Sequence, residues 1–309
     1  MVSDEKLFRI AIAYYRNGKT QTDLAAELGV SHVQVGKYLK LAKKRGIVEI
    51  TINAPFVDQN EQQMCSIYLK EAFGLEKLVL VPSASDPRRS MQFLVDGACD
   101  YLINSFTNKS LNVGVGMGKT MSEISHFRTR SMDRKTNWTI YPVTNYINDH
   151  TMRHDSGSYY SYLELPQNFQ DNWGSRKDDA FIDCVRDDKG NDVSSIWKRL
   201  DVIIGGVGVP LSRDPEVRRA ILGESYISSD DIPGDYINYF FDSDGHILNP
   251  KSPSRYAIDL DTIRSVKSRI AVASGFQKVY SIIGLLKCDL INTLITDITT
   301  TRNIVEVLK

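Results

Sequence analysis

Apolar positions recur at helical spacing three times within the first fifty residues. Leu7, Ile10, Ala11 and Tyr14 share one helical face. Asn17-Gly18 ends that helix, and Thr20 caps the next, with Asp23 in its first turn. Gly29 stops the second helix after Leu28. Ser31 caps a third, with Gln34 three residues on as in a capping box. In "SHVQVGKYLKLAKKR", Val33 and Val35 cannot both face a core; Val35 and Leu39, four apart, are the pair expected inside. "GIVEITIN" then reads as a short strand, at the place of a wing. Two helices joined by a tight glycine turn predict a helix-turn-helix.

The remaining chain changes period. "DQNEQQMCSIYLKEAFGL" (58–75) is an amphipathic helix that suits a linker, a dimerisation element or the first helix of a second domain. Apolar strand-length runs follow: "KLVLVP" (77–82), "LNVGVG" (111–116), "TIYPVT" (139–144), "DVIIGGVG" (201–208), "YINYFFD" (236–242), "RIAVAS" (269–274) and "NTLITD" (292–297). Most are separated by helix-length segments. Continuous apolar strands with helical crossovers predict a mostly parallel sheet covered on both faces. The expected organisation is a helix-turn-helix domain over 1–53 and an α/β, Rossmann-like domain over 54–309, with 54–75 as linker helix.

Composition adds little by itself. Of 309 residues, 42% are hydrophobic and 25% charged, ordinary for a globular protein. No apolar run is long enough to cross a bilayer, and "MVSDEKLFRI" does not read as a signal peptide. The four cysteines, Cys65, Cys99, Cys184 and Cys288, show no metal-ligand spacing, so reduced thiols, a cytoplasmic setting, no metal and no cofactor are expected.

The distribution of charge is more telling. The net charge is zero, yet residues 1–50 carry nine Lys/Arg against five acids, and 31–45 hold five basic residues and no acid. A basic face on a neutral chain suggests a polyanion partner. In a helix-turn-helix the second helix enters the major groove with its N-terminal residues at the base edges. Ser31, His32, Gln34, Lys37 and Tyr38 are therefore expected toward solvent or double-stranded DNA, together with Gln21 at the start of the second helix. Gln34 can read adenine, and Lys37 guanine or a phosphate. Lys40, Lys43, Lys44 and Arg45 are candidate phosphate contacts.

"VGVGMGKTM" (113–121) resembles a phosphate loop, but the P-loop glycine falls on Val113, one residue before Gly114. A nucleotide-hydrolysing reading therefore fails in register. A glycine turn between strand and helix nevertheless leaves free N–H groups for an anion. Ligands of such sheets bind outside the carboxyl ends of the strands. Gly114, Gly116, Gly118, Lys119 and Thr120 fall at one such end, and Gly205, Gly206 and Gly208 at another. Asp242 falls at a third, and Gly275 and Lys278 at a fourth. Glycines, an acid and a lysine on one rim suit a small polyhydroxylated, phosphorylated ligand.

Taken in order and spacing, "IAYYRNGKTQTDLAAELGVSHVQVGKYLKLAKKRGIVEITI", "VGVGMGKTM", "LDVIIGGVG", "GDYINYFFDSDG" and "ASGFQKVYSIIGLLKCDLINTLITD" resemble the SorC family of bacterial sugar-responsive transcription regulators over nearly the whole chain. The resemblance implies an N-terminal winged DNA-binding domain and a C-terminal domain related to sugar-phosphate isomerases that has lost catalysis. It implies control of carbohydrate genes by a phosphorylated sugar and assembly as a tetramer. Carried over, Gly116, Gly118, Lys119 and Thr120 contact the phosphate, Asp242 takes sugar hydroxyls, and Lys278 reaches in from the opposite side. The chain departs from the family after "TIYPVT", where "NYIND" replaces a Gly-Gly pair, and again in the aromatic, polar segment 145–180. Besides an NTP-dependent regulator using the 113–121 loop, two other functions compete. One is an active sugar-phosphate isomerase with Asp242, His246 or His126 as base. The other is an oligomeric DNA-binding protein that needs no effector.

Overall fold

The computed structural model describes residues 2–48, 59–106, 109–126, 136–143, 169, 171–173, 194–208, 234–237, 239–248 and 258–309. The chain divides into two compact units, Met1–Pro55 and Phe56–Lys309. The expected wing strand lies from residue 49 on outside the described residues.

The first unit is three helices built as the local signals dictate. Helix α1 (Asp4–Ala11) is capped by the Ser3 hydroxyl and runs on through a π-helical turn, Ile12–Arg16. Helix α2 (Gln21–Leu28) begins with a reciprocal capping box: Asp23 N–H donates to Thr20 Oγ1 at 3.1 Å, and Thr20 N–H to Asp23 Oδ2 at 3.0 Å. It ends at Gly29, whose left-handed φ of 63° only glycine adopts without penalty. Helix α3 (His32–Lys44) starts at Ser31, whose hydroxyl accepts from Gln34 N–H at 3.2 Å. Among the described residues the Gln34 side chain does not return a bond to Ser31, so the box is half-formed. Val35 and Leu39 are buried with Ile10 and Leu24, and Ala42 with Leu7 and Ala11, as the spacing predicts.

The second unit opens with α4 (Gln59–Phe73) and β1 (Lys77–Val81). It continues through α5 (Pro87–Phe106), β2 (Ser110–Val115), α6 (Lys119–His126), β3 (Asn137–Pro142), α7 (Ser194–Trp197) and β4 (Val202–Gly206). A short hairpin follows, β5 (Gly234–Tyr236) with β6 (Tyr239–Phe241). Then come α8 (Leu260–Ser265), β7 (Ser268–Val272), a 3₁₀ turn at Phe276–Lys278, α9 (Val279–Lys287), β8 (Thr293–Asp297) and α10 (Ile298–Leu308). Six strands form one parallel sheet in the order β1-β8-β7-β4-β2-β3. Alternate residues feed two cores. Ile203, Ala271 and Leu294 lie in one cluster, and Val202, Ile204, Ile270, Val272 and Ile295 in the other. The central strands β4, β7 and β8 are thus apolar on both sides, which is why they read as continuous runs.

One expected strand is not in this sheet. "YINYFFD" is split between β5 and β6, an antiparallel pair of its own. The chain reverses at Ile237, where φ is 52°. Gly234 meets Ser281 and Gly284 meets the Asp242 carbonyl, and only glycine allows the hairpin to lie this close to α9. The Tyr236 hydroxyl donates to Ile270 O at 3.0 Å and ties the hairpin to β7.

Candidate functional site

The strand order places the glycine runs. From β2 the chain crosses outward to β3. From β4 it proceeds the other way, to β7 and β8. Neighbouring strands whose connections leave in opposite directions open a crevice at their carboxyl ends. Gly116–Thr120 follows β2, Gly206–Gly208 follows β4, and Gly275–Lys278 follows β7, the next strand over. Three adjacent strand ends span about 10 Å, the width of a small sugar.

On the β2 side, α6 begins at Lys119 and its first N–H groups have no partner inside the helix. Gly118 has φ 108°, and a Cβ built on it would meet nothing within 4 Å. The turn therefore requires glycine and leaves open space over the helix start. Thr120 is buried beside Gly206, while Lys119 is exposed. The backbone and Thr120 face this corner more directly than the lysine does.

On the β4 side lies a residue that sequence reasoning missed. Asp235, in β5, packs its carboxylate directly on Gly208; a Cβ there would overlap Asp235 Oδ1. Gly208 N–H also donates to Asp235 O at 2.9 Å. Burial pushes the Asp235 carboxyl up to about 6, against the opposing pull of the Lys278 charge. Burial likewise lowers the Lys278 ammonium, opposed by Asp235. The two charges feel each other without forming an ion pair among the described contacts. Acid and base thus converge from β5 and from the turn after β7. Gly275 is fixed by its N–H donating to Thr300 Oγ1 at 2.7 Å.

Asp242, which the sequence reading also assigned to this rim, has its carboxylate engaged within its own turn. Its Oδ1 accepts from the N–H groups of Asp244 and His246, both at 2.9 Å, and its Oδ2 meets His246 Nδ1 at 3.0 Å. These bonds hold the carboxyl below the usual range, although partial burial opposes them. The turn packs against Gly284 and Lys287, toward the far end of α9 from Lys278. Its carboxylate thus closes a turn. The signal that could have found Asp235 is a Gly-Asp pair opening a strand, where a charge at an apolar run needs a reason.

Much of segment 145–180 lies outside the described residues, as does "NYIND". Within it, Phe169 and Trp173 are buried, and the Trp173 ring stacks on Trp138 at 5.6 Å. Part of its aromatic excess is therefore core. No group of three metal-ligating side chains, and no helix long and apolar enough to cross a membrane, occurs among the described residues.

In the first unit, His32, Lys37, Lys40, Lys43 and Lys44 are exposed on α3, and Gln34 is half-buried. Ser31 is occupied as cap. Lys43 Nζ lies 5.8 Å from the Tyr15 ring. The Gln21 amide oxygen rests 3.2 Å from where a Cβ on Gly36 would stand, so α2 begins against the middle of α3. Two expected DNA-facing residues are turned to structure. Tyr38 is half-buried against both small cores, with Lys6 Nζ 5.6 Å from its ring, because it flanks the buried stripe of Val35 and Ala42. Arg45 pairs with Asp4 and donates to Val2 O at 3.2 Å, tying the end of α3 to the start of α1.

Residues 58–306 match the sugar-binding domain family model. The chain is similar to the sorbitol operon regulator of Klebsiella pneumoniae, 25% identical over 307 residues and 94% of each chain. It is 23% identical to the transcriptional regulator LsrR of Escherichia coli (strain K12) over 322 residues, 96% of this chain and 93% of that one. In fold it resembles full-length SorC from Klebsiella pneumoniae, with TM-score 0.59, 21% identity and 99% of both chains covered. It also resembles a domain of a possible sugar-binding transcriptional regulator from Arthrobacter aurescens TC1, with TM-score 0.63 and 19% identity, over 82% of this chain and 100% of that one.

Proposed function

This chain belongs to the SorC family of sugar-responsive, DNA-binding transcriptional regulators, and on that premise we propose that a phosphorylated sugar bound at the ends of β2, β4 and β7 controls its hold on operator DNA. The family is one of regulators rather than enzymes. The observation that carries the proposal is the convergence at one crevice of an open helix start at Gly118, the Asp235 carboxylate and the Lys278 ammonium. Each matches a different part of one ligand. The amides after Gly118 and the Thr120 hydroxyl take phosphate oxygens, helped by the helix dipole. Asp235 accepts from sugar hydroxyls, and Lys278 donates to a hydroxyl or the phosphate. Gly116, Gly206, Gly208 and Gly275 shape the floor, and Lys119 adds charge at the edge. Similarity to a sorbitol operon regulator supports a carbohydrate as the effector class. One small helical unit offers limited contact with DNA, so tight binding calls for several copies on one particle, a tetramer by family resemblance, working in the cytoplasm on inverted-repeat operators.

The test is a thermal-shift screen against phosphorylated and unphosphorylated sugars, followed by titration calorimetry. A ligand at about 100 times its Kd stabilises the fold by roughly 2.7 kcal/mol. Stabilisation by unphosphorylated sugars alone, or by ATP with magnesium alone, overturns the phosphate assignment.

A further inference from the structure

Helix α3 presents an outward face that basic residues do not fill alone. At 100° per residue, Val33, Lys37, Lys40 and Lys44 fall within about 60° of one another, directly opposite Val35, Leu39 and Ala42. The three lysines are exposed, and so is Val33, at 56%. Val33 stands at the second position of the helix, one turn before Lys37, where a helix-turn-helix meets base edges. A β-branched side chain there is stiff at χ1 and loses little freedom on contact. It has no donor or acceptor, so only one feature of the major groove matches it: the C5 methyl of thymine, the apolar group among the base edges. Of its immediate neighbours, His32 is exposed and Gln34 is half-buried. Ser31 is used as cap, Tyr38 is turned inward, and Lys37 lies one turn farther on.

We infer that Val33 is a specificity-determining residue that packs on a thymine methyl in each half-site, with Lys37 reading or anchoring the neighbouring position. The inference rests on the regulator reading and assigns to this helix an apolar contact beside its charged ones. A valine at this point makes the helix discriminate thymine from cytosine, whose edge at the same place carries no methyl.

The full chain, offered a randomised duplex pool, supplies its own preferred site. Each thymine of that duplex is then replaced singly by deoxyuridine, which deletes the methyl and nothing else. Wild type should lose about fourfold in affinity at one thymine per half-site, ~0.8 kcal/mol at 1.4 kcal/mol per decade, the worth of one buried methyl. Val33→Ala should bind the thymine and uridine duplexes alike, because the partner of the methyl is gone. Val33→Thr, which keeps one γ-methyl, should retain part of the dependence. Because Val33 is exposed, none of these variants disturbs the core. Uridine replacement that leaves wild type unchanged everywhere, or that weakens Val33→Ala as much as wild type, overturns the inference. So does a preferred site without thymine. If the chain enriches no sequence at all, DNA readout itself fails, a separate and distinguishable result.

Discussion

Replacing Asp235 by Asn should stabilise the free protein, and only above a definite pH. The carboxyl sits against Gly208, and burial moves it from 3.8 to about 6. A raised carboxyl means that the unfolded chain ionises first. The protonated form is tolerated in the fold, so no penalty exists below about pH 4. As pH rises toward 6, folding must suppress ionisation and stability falls. Above about pH 6 the residue is ionised in both states and the full penalty is present. The difference between 3.8 and about 6 corresponds to at most about 3 kcal/mol, at 1.36 kcal/mol per pKa unit. Asn keeps the shape without the charge, and the shift is already net of the attraction to Lys278, so about 1–3 kcal/mol is expected at pH 8 and almost none at pH 4. Urea denaturation of wild type and Asp235→Asn at the two pH values measures it. The variant should also lose affinity for the phosphorylated sugar, since Asn accepts hydroxyl hydrogen bonds more weakly than a carboxylate. An equal effect at pH 4 and pH 8 would refute the electrostatic account. A variant less stable than wild type at pH 8 would show that the Lys278 attraction outweighs the desolvation.

Gly118→Ala should cost about 1–2 kcal/mol in melting experiments, because φ is 108° while nothing crowds the new Cβ, and calorimetry should show weakened binding of the sugar phosphate. Gly36→Ala should stabilise the first unit by roughly 0.5–1 kcal/mol, since the new methyl meets only the movable end of Gln21 at 3.2 Å; a lower melting point would mean that Gln21 is held rigidly. Lys44→Ala should reduce the salt dependence of DNA binding by about one phosphate contact. Arg45→Ala should leave that slope unchanged and instead lower stability, because its guanidinium is engaged with Asp4 and Val2; equal slopes for the two variants would remove the distinction.

What was legible in the sequence is what neighbours in the chain decide. Thr20 with Asp23 and Ser31 with Gln34 mark helix starts because the bonds span three residues. The six parallel strands announce themselves because they are mostly apolar and carry few polar residues in their interiors. The stretch "GDYINYFFD" was misread for a physical reason. It has the composition of a strand, and its reversal at Ile237 uses a left-handed β-branched residue instead of a turn signal such as Asn-Gly. What imposes the reversal is α9 and β7, distant in sequence, through Gly284 and Tyr236. Read as one strand, the stretch draws attention to the acid at its end, Asp242, and passes over Asp235 near its start. Tyr38 and Arg45 show a similar limit. Their residue types suit DNA, but α1 is the element that claims them.

The strand order also sets a timetable for synthesis. Among the described strands β1 pairs only with β8, and β8 is the last of them to leave the ribosome. The helix-turn-helix unit is complete in the chain once Lys44 and the few residues after it have emerged. β1 must then wait some two hundred residues for the neighbour that joins it to the sheet, roughly 10–40 s at 5–20 residues per second. Throughout that interval the helix-turn-helix unit has emerged ahead of an effector domain whose sheet is still open at β1. A nascent regulator therefore carries its helix-turn-helix before it can answer to a sugar. Loss of the C-terminal segment should leave the same molecule behind: one that keeps its helix-turn-helix but no longer hears its signal.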